Sequence, residues 1–210
     1  MKVLLVNGSP KKSGCTYTAL SEVKKTLNEE GIDTEMFHIG ARPIAGCLGC
    51  GKCGELKKCV QDDRVNECLD KLADADGFVF GSPVYYASAN GSLIAFMDRL
   101  FYAGSRRGMK TFFMKPAAAV TSARRAGTTS TIDVINKYFS IAQMPIVSSK
   151  YWNMVHGNTP DEVRRDLEGM QTMRVLGRNM AFMLKCREAG LKAGIKYPEQ
   201  EEPQRTNFIR

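Results

Sequence analysis

Short apolar runs alternating with stretches of helical spacing constrain this chain more than any other feature. Lys2-Val3-Leu4-Leu5-Val6-Asn7 is a continuous apolar run of the kind that a parallel sheet buries on both faces. It stops at Gly8-Ser9-Pro10. Helical spacing follows from Cys15-Thr16 through Leu20, Val23 and Leu27, and Gly31 ends it. Asp33 to Ile39 then reads as a second strand, so the first stretch of chain is a βαβ unit.

The alternation continues. Arg42 to Lys58 is a glycine- and cysteine-rich loop without periodicity, and helical spacing resumes from Asp63 through Val65, Leu69 and Leu72. Gly77–Gly81 reads as a third strand and Leu93, Phe96, Met97 and Leu100 as the next helix. Lys115–Val120 is the expected fourth strand, with Ile132, Ile135 and Phe139 marking a helix after it. Pro145–Tyr151 is the expected fifth strand, and Pro160 to about Ala189 a long last helix. Five strands interleaved with helices predict an α/β fold, a doubly wound parallel sheet with helices on both faces. The expected organisation is one domain over residues 1–195 with a Cys-rich loop at 46–60, followed by a tail at 196–210 that frays or docks on a neighbouring subunit.

Composition narrows the class. The 210 residues are 43% hydrophobic and 25% charged, as in soluble globular proteins. No apolar run approaches the roughly 20 residues of a bilayer span, and the opening apolar stretch is too short for a secretory leader. A cytoplasmic protein with no membrane partner is expected. The net charge of +8 is open to nucleic acid, an anionic membrane face or an anionic small ligand, and without an arginine-rich tract or RNA-binding aromatic motif no nucleic-acid partner is expected. An odd count of seven cysteines disfavours a secreted disulfide framework.

In such sheets ligands bind at the carboxyl ends of the strands, and three loops there carry chemistry. The first, Asn7 to Thr16, supplies hydroxyls at Ser9, Ser13 and Thr16, cations at Lys11 and Lys12, and Gly14 before a helix start at Cys15. Free amides at a helix N-terminus complete a phosphate cradle, although the loop matches neither a Walker motif nor the dinucleotide glycine fingerprint. The second, with Pro83, Val84, Tyr85, Tyr86 and Ser88, offers aromatic rings for stacking and backbone amides for a planar heterocycle. Packing of the two tyrosines between helix and sheet is the alternative. The third, with Thr121, Arg124, Arg125, Gly127 and Thr128, lies in the acid-free stretch Arg99–Ile132, which carries seven Lys/Arg. That charge favours a polyanionic ligand such as a pyridine nucleotide phosphate, a solvated basic face being the alternative.

Together Gly8-Ser9-Pro10-Lys11, Cys15-Thr16, and Pro83-Val84-Tyr85 through Leu93, Phe96 and Asp98-Arg99 resemble the flavodoxin-like NADPH-dependent FMN reductase superfamily. The resemblance implies a five-stranded sheet of order 2-1-3-4-5. It also implies that the first loop holds the FMN phosphate, the second contacts the isoalloxazine and ribityl chain, and the third borders the ring's other edge. Cys15 stands where asparagine is common in that family, and its backbone N–H is expected to matter more than its sulfur.

Cys47-x2-Cys50-x2-Cys53-x5-Cys59 is the sharpest single signal. Four thiolates in so short a run can wrap one compact metal centre, with glycines letting the backbone curl and Lys52, Lys57 and Lys58 offsetting charge. Structural zinc or bare thiols are the alternatives. The spacing resembles the iron–sulfur flavoprotein branch of the same superfamily, which implies a 4Fe-4S cluster near a subunit interface, passing electrons to FMN. Cys68 and Cys186 are expected in the core. His38, in a strand, and His156, in the loop after the last strand, are expected to be structural, with substrate contact by His156 as the alternative. The expected function is an FMN-dependent oxidoreductase. It takes electrons from NAD(P)H and passes them to a small-molecule or protein acceptor, as a homodimer or homotetramer. The alternative is a non-catalytic carrier fed by ferredoxin-like partners.

Overall fold

The computed structural model describes residues 1–204, 206 and 208. Strand β1 (Lys2–Asn7) lies in a parallel sheet between β2 (Asp33–His38) and β3 (Gly77–Tyr85). Beyond β3 come β5 (Ala117–Ala123) and β6 (Met154–His156), while the two-residue β4 (Ser88–Ala89) turns back antiparallel onto β3. The parallel strands run in the order β2-β1-β3-β5-β6. Counted among themselves, that is the expected 2-1-3-4-5 of a flavodoxin-like fold.

Alternation along the strands decides what each face packs against. Leu4, Val6, Phe78 and Phe80 project to one side, where helices α3 (Arg64–Lys71), α4 (Gly91–Arg106) and α5 (Thr128–Ile141) cover them. Val3, Leu5, Val79, Ala118 and Val120 project to the other, against α1 (Cys15–Glu29) and α7 (Leu167–Lys192). On the first side Phe80 lies between Phe101 at 5.8 Å and Phe139 at 5.6 Å, and Phe101 stacks on Phe112 at 4.5 Å. A short helix, α2 (Cys53–Leu56), sits inside the cysteine loop, and α6 (Pro160–Arg165) precedes α7. Among the described residues no helix is long and apolar enough to cross a membrane.

Four boundaries differ from expectation. Strand β3 continues past Gly81 because Ser82 and Pro83 keep pairing with Thr121 and Ser122. Pro83 is tolerated there because β1 has already ended, opposite Gly81, so no neighbour on that side needs its missing N–H. The fourth parallel strand begins at Ala117 rather than Lys115 and runs on to Ala123. The expected strand at Pro145–Tyr151 reduces to one bridge at Ile146. Helix α7 holds the segment away: Ser149 Oγ donates to Thr172 O at 2.7 Å, and Asn179 Nδ2 donates to Ser148 O at 2.8 Å. The strand forms instead at Met154–His156, which puts His156 in the sheet rather than in a loop. The long last helix is broken at Asp166, whose side chain accepts from Gly169 N at 2.9 Å and His156 N at 2.7 Å and so caps α7.

Two further expectations are corrected. Cys186 is exposed on α7, whereas Cys68 is buried as anticipated. The first tail residues dock on their own chain: Tyr197 meets Phe113 at 5.9 Å and the Arg187 guanidinium at 5.6 Å, and Gln143 Nε2 donates to Gln200 Oε1 at 3.0 Å. Arg205, Asn207, Ile209 and Arg210 of that tail lie outside the described residues.

Candidate functional site

All three predicted loops arrive at one edge of the sheet. At the first, buried Asn7 shapes the turn: its Oδ1 accepts from Ser9 N at 3.0 Å and its Nδ2 donates to Lys12 O at 3.2 Å. Ser9 Oγ accepts from Lys11 N at 3.1 Å, and His38 Nε2 lies 2.7 Å from Ser9 O. Gly8 is forced by close approach, since a Cβ there would stand 2.6 Å from Leu93 Cδ2 and 2.8 Å from Gly81 O. The turn delivers Gly14 as the N-cap of α1, with no side chain closing the cap. Among the described residues the amides of Ser13, Cys15 and Thr16 have no hydrogen-bond partner. Beside them stand the exposed side chains of Lys11, Lys12 and Ser13. Unsatisfied amides, a helix dipole and cations together suit a phosphate.

The second loop is a tight hairpin. Tyr85 pairs with Ser88 across a two-residue turn, and both Tyr86 (φ 49) and Ala87 (φ 57) are left-handed without being glycine. Backbone strain of this kind gathers at ligand-contacting turns. Tyr86 is fully exposed and Tyr85 is 48% exposed, so neither packs between helix and sheet as the alternative reading had it. The third loop grips this hairpin. Ser130 Oγ donates to Ala87 O at 2.8 Å, and Gly127 (φ 93) comes so close that a Cβ would lie 2.8 Å from Ala87 Cα and Val84 Cγ1. Arg124 and Arg125 are exposed on the crest.

Not every predicted contact residue faces outward. Thr16 Oγ1 is buried 2.8 Å from Ser122 Oγ, Thr128 Oγ1 lies 3.2 Å from Met154 Sδ, and Thr121 Oγ1 is buried without a partner among the described residues. Thr16 Oγ1 thus ties the start of α1 to the end of β5, and Thr128 Oγ1 ties the third loop to β6. Cys15 Sγ points to Gly157 O at 3.7 Å, and burial pushes its thiol pKa up, so it stays a thiol beside the amide that serves the cradle.

The four-cysteine loop forms a second cluster on the α3–α4 side. Cys47, Cys50, Cys53 and Cys59 line one concavity together with Leu48, Val60, Tyr102 and Arg99. Cys47 and Cys50 are exposed, Cys59 is half-buried and Cys53 is buried at the start of α2. Gly49 (φ 63) and Gly51 (φ 69) supply the left-handed backbone that the curl requires. Among the described residues no three His, Cys, Asp or Glu side chains converge at metal-ligating distance, so the sulfurs share a cavity without sharing a centre. Four soft sulfur donors around one cavity, with cationic neighbours, nonetheless match the donor chemistry of an iron–sulfur cluster.

Two residues shape this loop: Asn66, which no sequence argument singled out, and Arg99, which by sequence counts among the free cations of Arg99–Ile132 but is buried and paired with Asp63. Asn66, buried on α3, accepts from Cys59 N at 2.9 Å and donates to Cys59 O at 3.0 Å. Arg99, buried on α4, donates through Nε to Cys59 Sγ at 3.2 Å and forks onto Asp63 at 2.7 and 2.9 Å. Burial would lower the Arg99 pKa, but hydrogen bonding to Asp63 and Cys59 raises it above its ordinary value, so the charge is held. The readable signal was an arginine inside the apolar stripe Phe96, Leu100 and Ala103, where a cation needs built partners.

Comparison with known proteins gives the family and the fold. An iron–sulfur flavoprotein of Methanocaldococcus jannaschii is 33% identical over 195 residues, covering 88% of this chain and 98% of its own length. An iron–sulfur flavoprotein of Methanosarcina thermophila is 29% identical, covering 88% of this chain and 95% of its own. Among solved structures, RosB with bound 8-demethyl-8-formylriboflavin-5'-phosphate superposes with a TM-score of 0.69 at 15% identity, over 100% of this chain and 92% of that one. A flavodoxin-like WrbA-type protein of Agrobacterium tumefaciens gives 0.62 at 14% identity, over 88% and 98%. These structural likenesses speak to the fold. The family described as NADPH-dependent FMN reductase matches residues 1–159, spanning β1 through β6 and all three rim loops, and the chain belongs to that family.

Proposed function

We propose that this chain is an oxidoreductase that holds FMN on the carboxyl rim of its sheet and a 4Fe-4S cluster in the four-cysteine loop, passing electrons between NAD(P)H or a protein donor and an acceptor. The observation that carries the reading is the uncapped start of α1 beside Lys11 and Ser13, at the same edge of the sheet as a strained hairpin that presents Tyr85 and Tyr86. FMN, when bound, supplies the electron-transfer chemistry, taking up a hydride or single electrons.

The protein's part is binding and orientation. Amides of Ser13, Cys15 and Thr16 with the Lys11 ammonium receive the phosphate dianion. The backbone at Pro83–Ala87 and the ring of Tyr86 border the isoalloxazine, and Gly127 lets the third loop close against that hairpin. Arg124 and Arg125 offer cations to the phosphates of a pyridine nucleotide or to an anionic acceptor. Cys47, Cys50, Cys53 and Cys59 are the cluster ligands, and a reducing cytoplasmic setting suits a chain with seven free cysteines. Exposed Ile141, Ile146, Trp152 and Phe182 support a homodimer or homotetramer that covers them.

The experiment is the absorption spectrum of anaerobically purified protein, with iron and acid-labile sulfide quantified and NADH and NADPH oxidation followed at steady state. Flavin, iron and sulfide together with turnover of either nucleotide are expected. Flavin without iron would remove the cluster from the reading, and cofactors without turnover would remove the nucleotide.

A further inference from the structure

We propose that Arg99 is the positioning residue of the four-cysteine loop: its Nε–H fixes the sulfur of Cys59 in advance and raises the reduction potential of the cluster the loop holds. The inference rests on reading that loop as a cluster ligand set.

The Arg99 side chain is 0% exposed, and each of its five N–H donors has an acceptor. Two go to the carboxylate of Asp63, one to Ala45 O at 3.2 Å, one to Gln61 O at 2.9 Å, and the fifth to Cys59 Sγ at 3.2 Å. One guanidinium thus ties both ends of the cysteine loop to α4. A buried ion pair is by itself weak ground for a stabilising role. What distinguishes this one is that its remaining N–H is aimed at a sulfur. Asn66 fixes the main chain of the same residue from the other side, through Cys59 N and Cys59 O. Cys59 is therefore preset in backbone and side chain, whereas Cys47 and Cys50 are exposed and no hydrogen bond to either sulfur is found among the described residues. The geometry makes Cys59 the anchor on which the other three thiolates close.

A hydrogen bond donated to a ligating thiolate favours the more negatively charged, reduced state, and so raises the potential. Arginine keeps its proton throughout the working pH range, and its planar fork cannot be reproduced by an ammonium. Asp63 lies against the same guanidinium and opposes its charge.

The test compares wild type, Arg99→Lys, Arg99→Gln and Asp63→Asn as full-length, anaerobically reconstituted proteins. Iron and sulfide content, the EPR-monitored midpoint potential and thermal melting are read for each. Both Arg99 variants should shift the midpoint negative, Arg99→Gln further. Asp63→Asn keeps an acceptor for the Val65 amide but loses the charge, and should shift it positive. A merely structural role would lower melting in all three without opposite shifts in potential. Should Arg99→Gln fail to fold, Arg99→Lys decides. Iron retained with a midpoint equal to wild type in Arg99→Lys overturns the inference while leaving the cluster reading intact. A wild-type protein with neither iron nor sulfide overturns both.

Discussion

Thr16 Oγ1 and Ser122 Oγ lie 2.8 Å apart in the buried seam between the start of α1 and the end of β5. Neighbouring in space but 106 positions apart in sequence, they lock the phosphate-side loop to the third loop. The rim is thereby one preorganised body, which lowers the ordering cost of binding a long ligand across it.

Ser122→Ala leaves the Thr16 hydroxyl buried without its partner. A loss of about 1–2 kcal/mol is expected, read as a melting temperature lower by roughly 2–8 °C. Combining it with Thr16→Val, which removes both hydroxyls, should recover part of the loss in a double-mutant cycle.

Gly127→Ala places a methyl group 2.8 Å from Ala87 Cα at a φ of 93, where both space and backbone resist it. The third loop must retreat from the hairpin. Stability should fall by about 1–3 kcal/mol, and FMN affinity measured by fluorescence quenching should fall with it.

Asn66→Ala removes both bonds that hold the main chain of Cys59. Two partly buried backbone groups lose their partners, so a cost of about 1–2 kcal/mol is expected, with reduced iron content at undiminished flavin content. Equal loss of flavin and iron would mean that Asn66 serves the fold as a whole rather than the loop.

Glu35 bridges β1 and α3, with Lys2 Nζ at 2.6 Å and Lys71 Nζ at 2.6 Å. Hydrogen bonding first from Lys2 and then from Lys71 holds its carboxyl below the ordinary carboxylate value of 4.5. Because the folded value is the lower one, the stabilisation is present above the unfolded value and disappears as pH falls through the folded one. Glu35→Gln should therefore cost up to about 1 kcal/mol in urea unfolding near neutral pH, diminished by salt, and nothing in strong acid.

The central strands of the sheet were legible because they are contiguous apolar runs, a pattern that reads locally whatever covers it. Val3–Val6 and Phe78–Phe80 announce themselves in this way. The last strand was misplaced because Ile146 and Val147 look like a strand, while the groups that draw Ser148 and Ser149 aside, Asn179 and Thr172, lie on α7. At the site, spacing brought Cys47, Cys50, Cys53 and Cys59 together on paper, as the shared cavity does in space. Residues acting across long separations stayed hidden. Arg99 reaches Cys59 from 40 positions away, and Thr16 reads as a phosphate donor until Ser122 is seen to engage it. Local pattern shows which residues can do chemistry, and tertiary pairing decides which are free to do it.

The phosphate cradle at the start of α1 is tested most directly by titrating flavin-free protein with FMN and with riboflavin, which lacks only the phosphate, and following flavin fluorescence. FMN is expected to bind at least about tenfold more tightly, with Lys11→Ala and Ser13→Ala removing much of the difference. Equal affinity for the two flavins, or quenching by neither, would contradict a phosphate held by that helix.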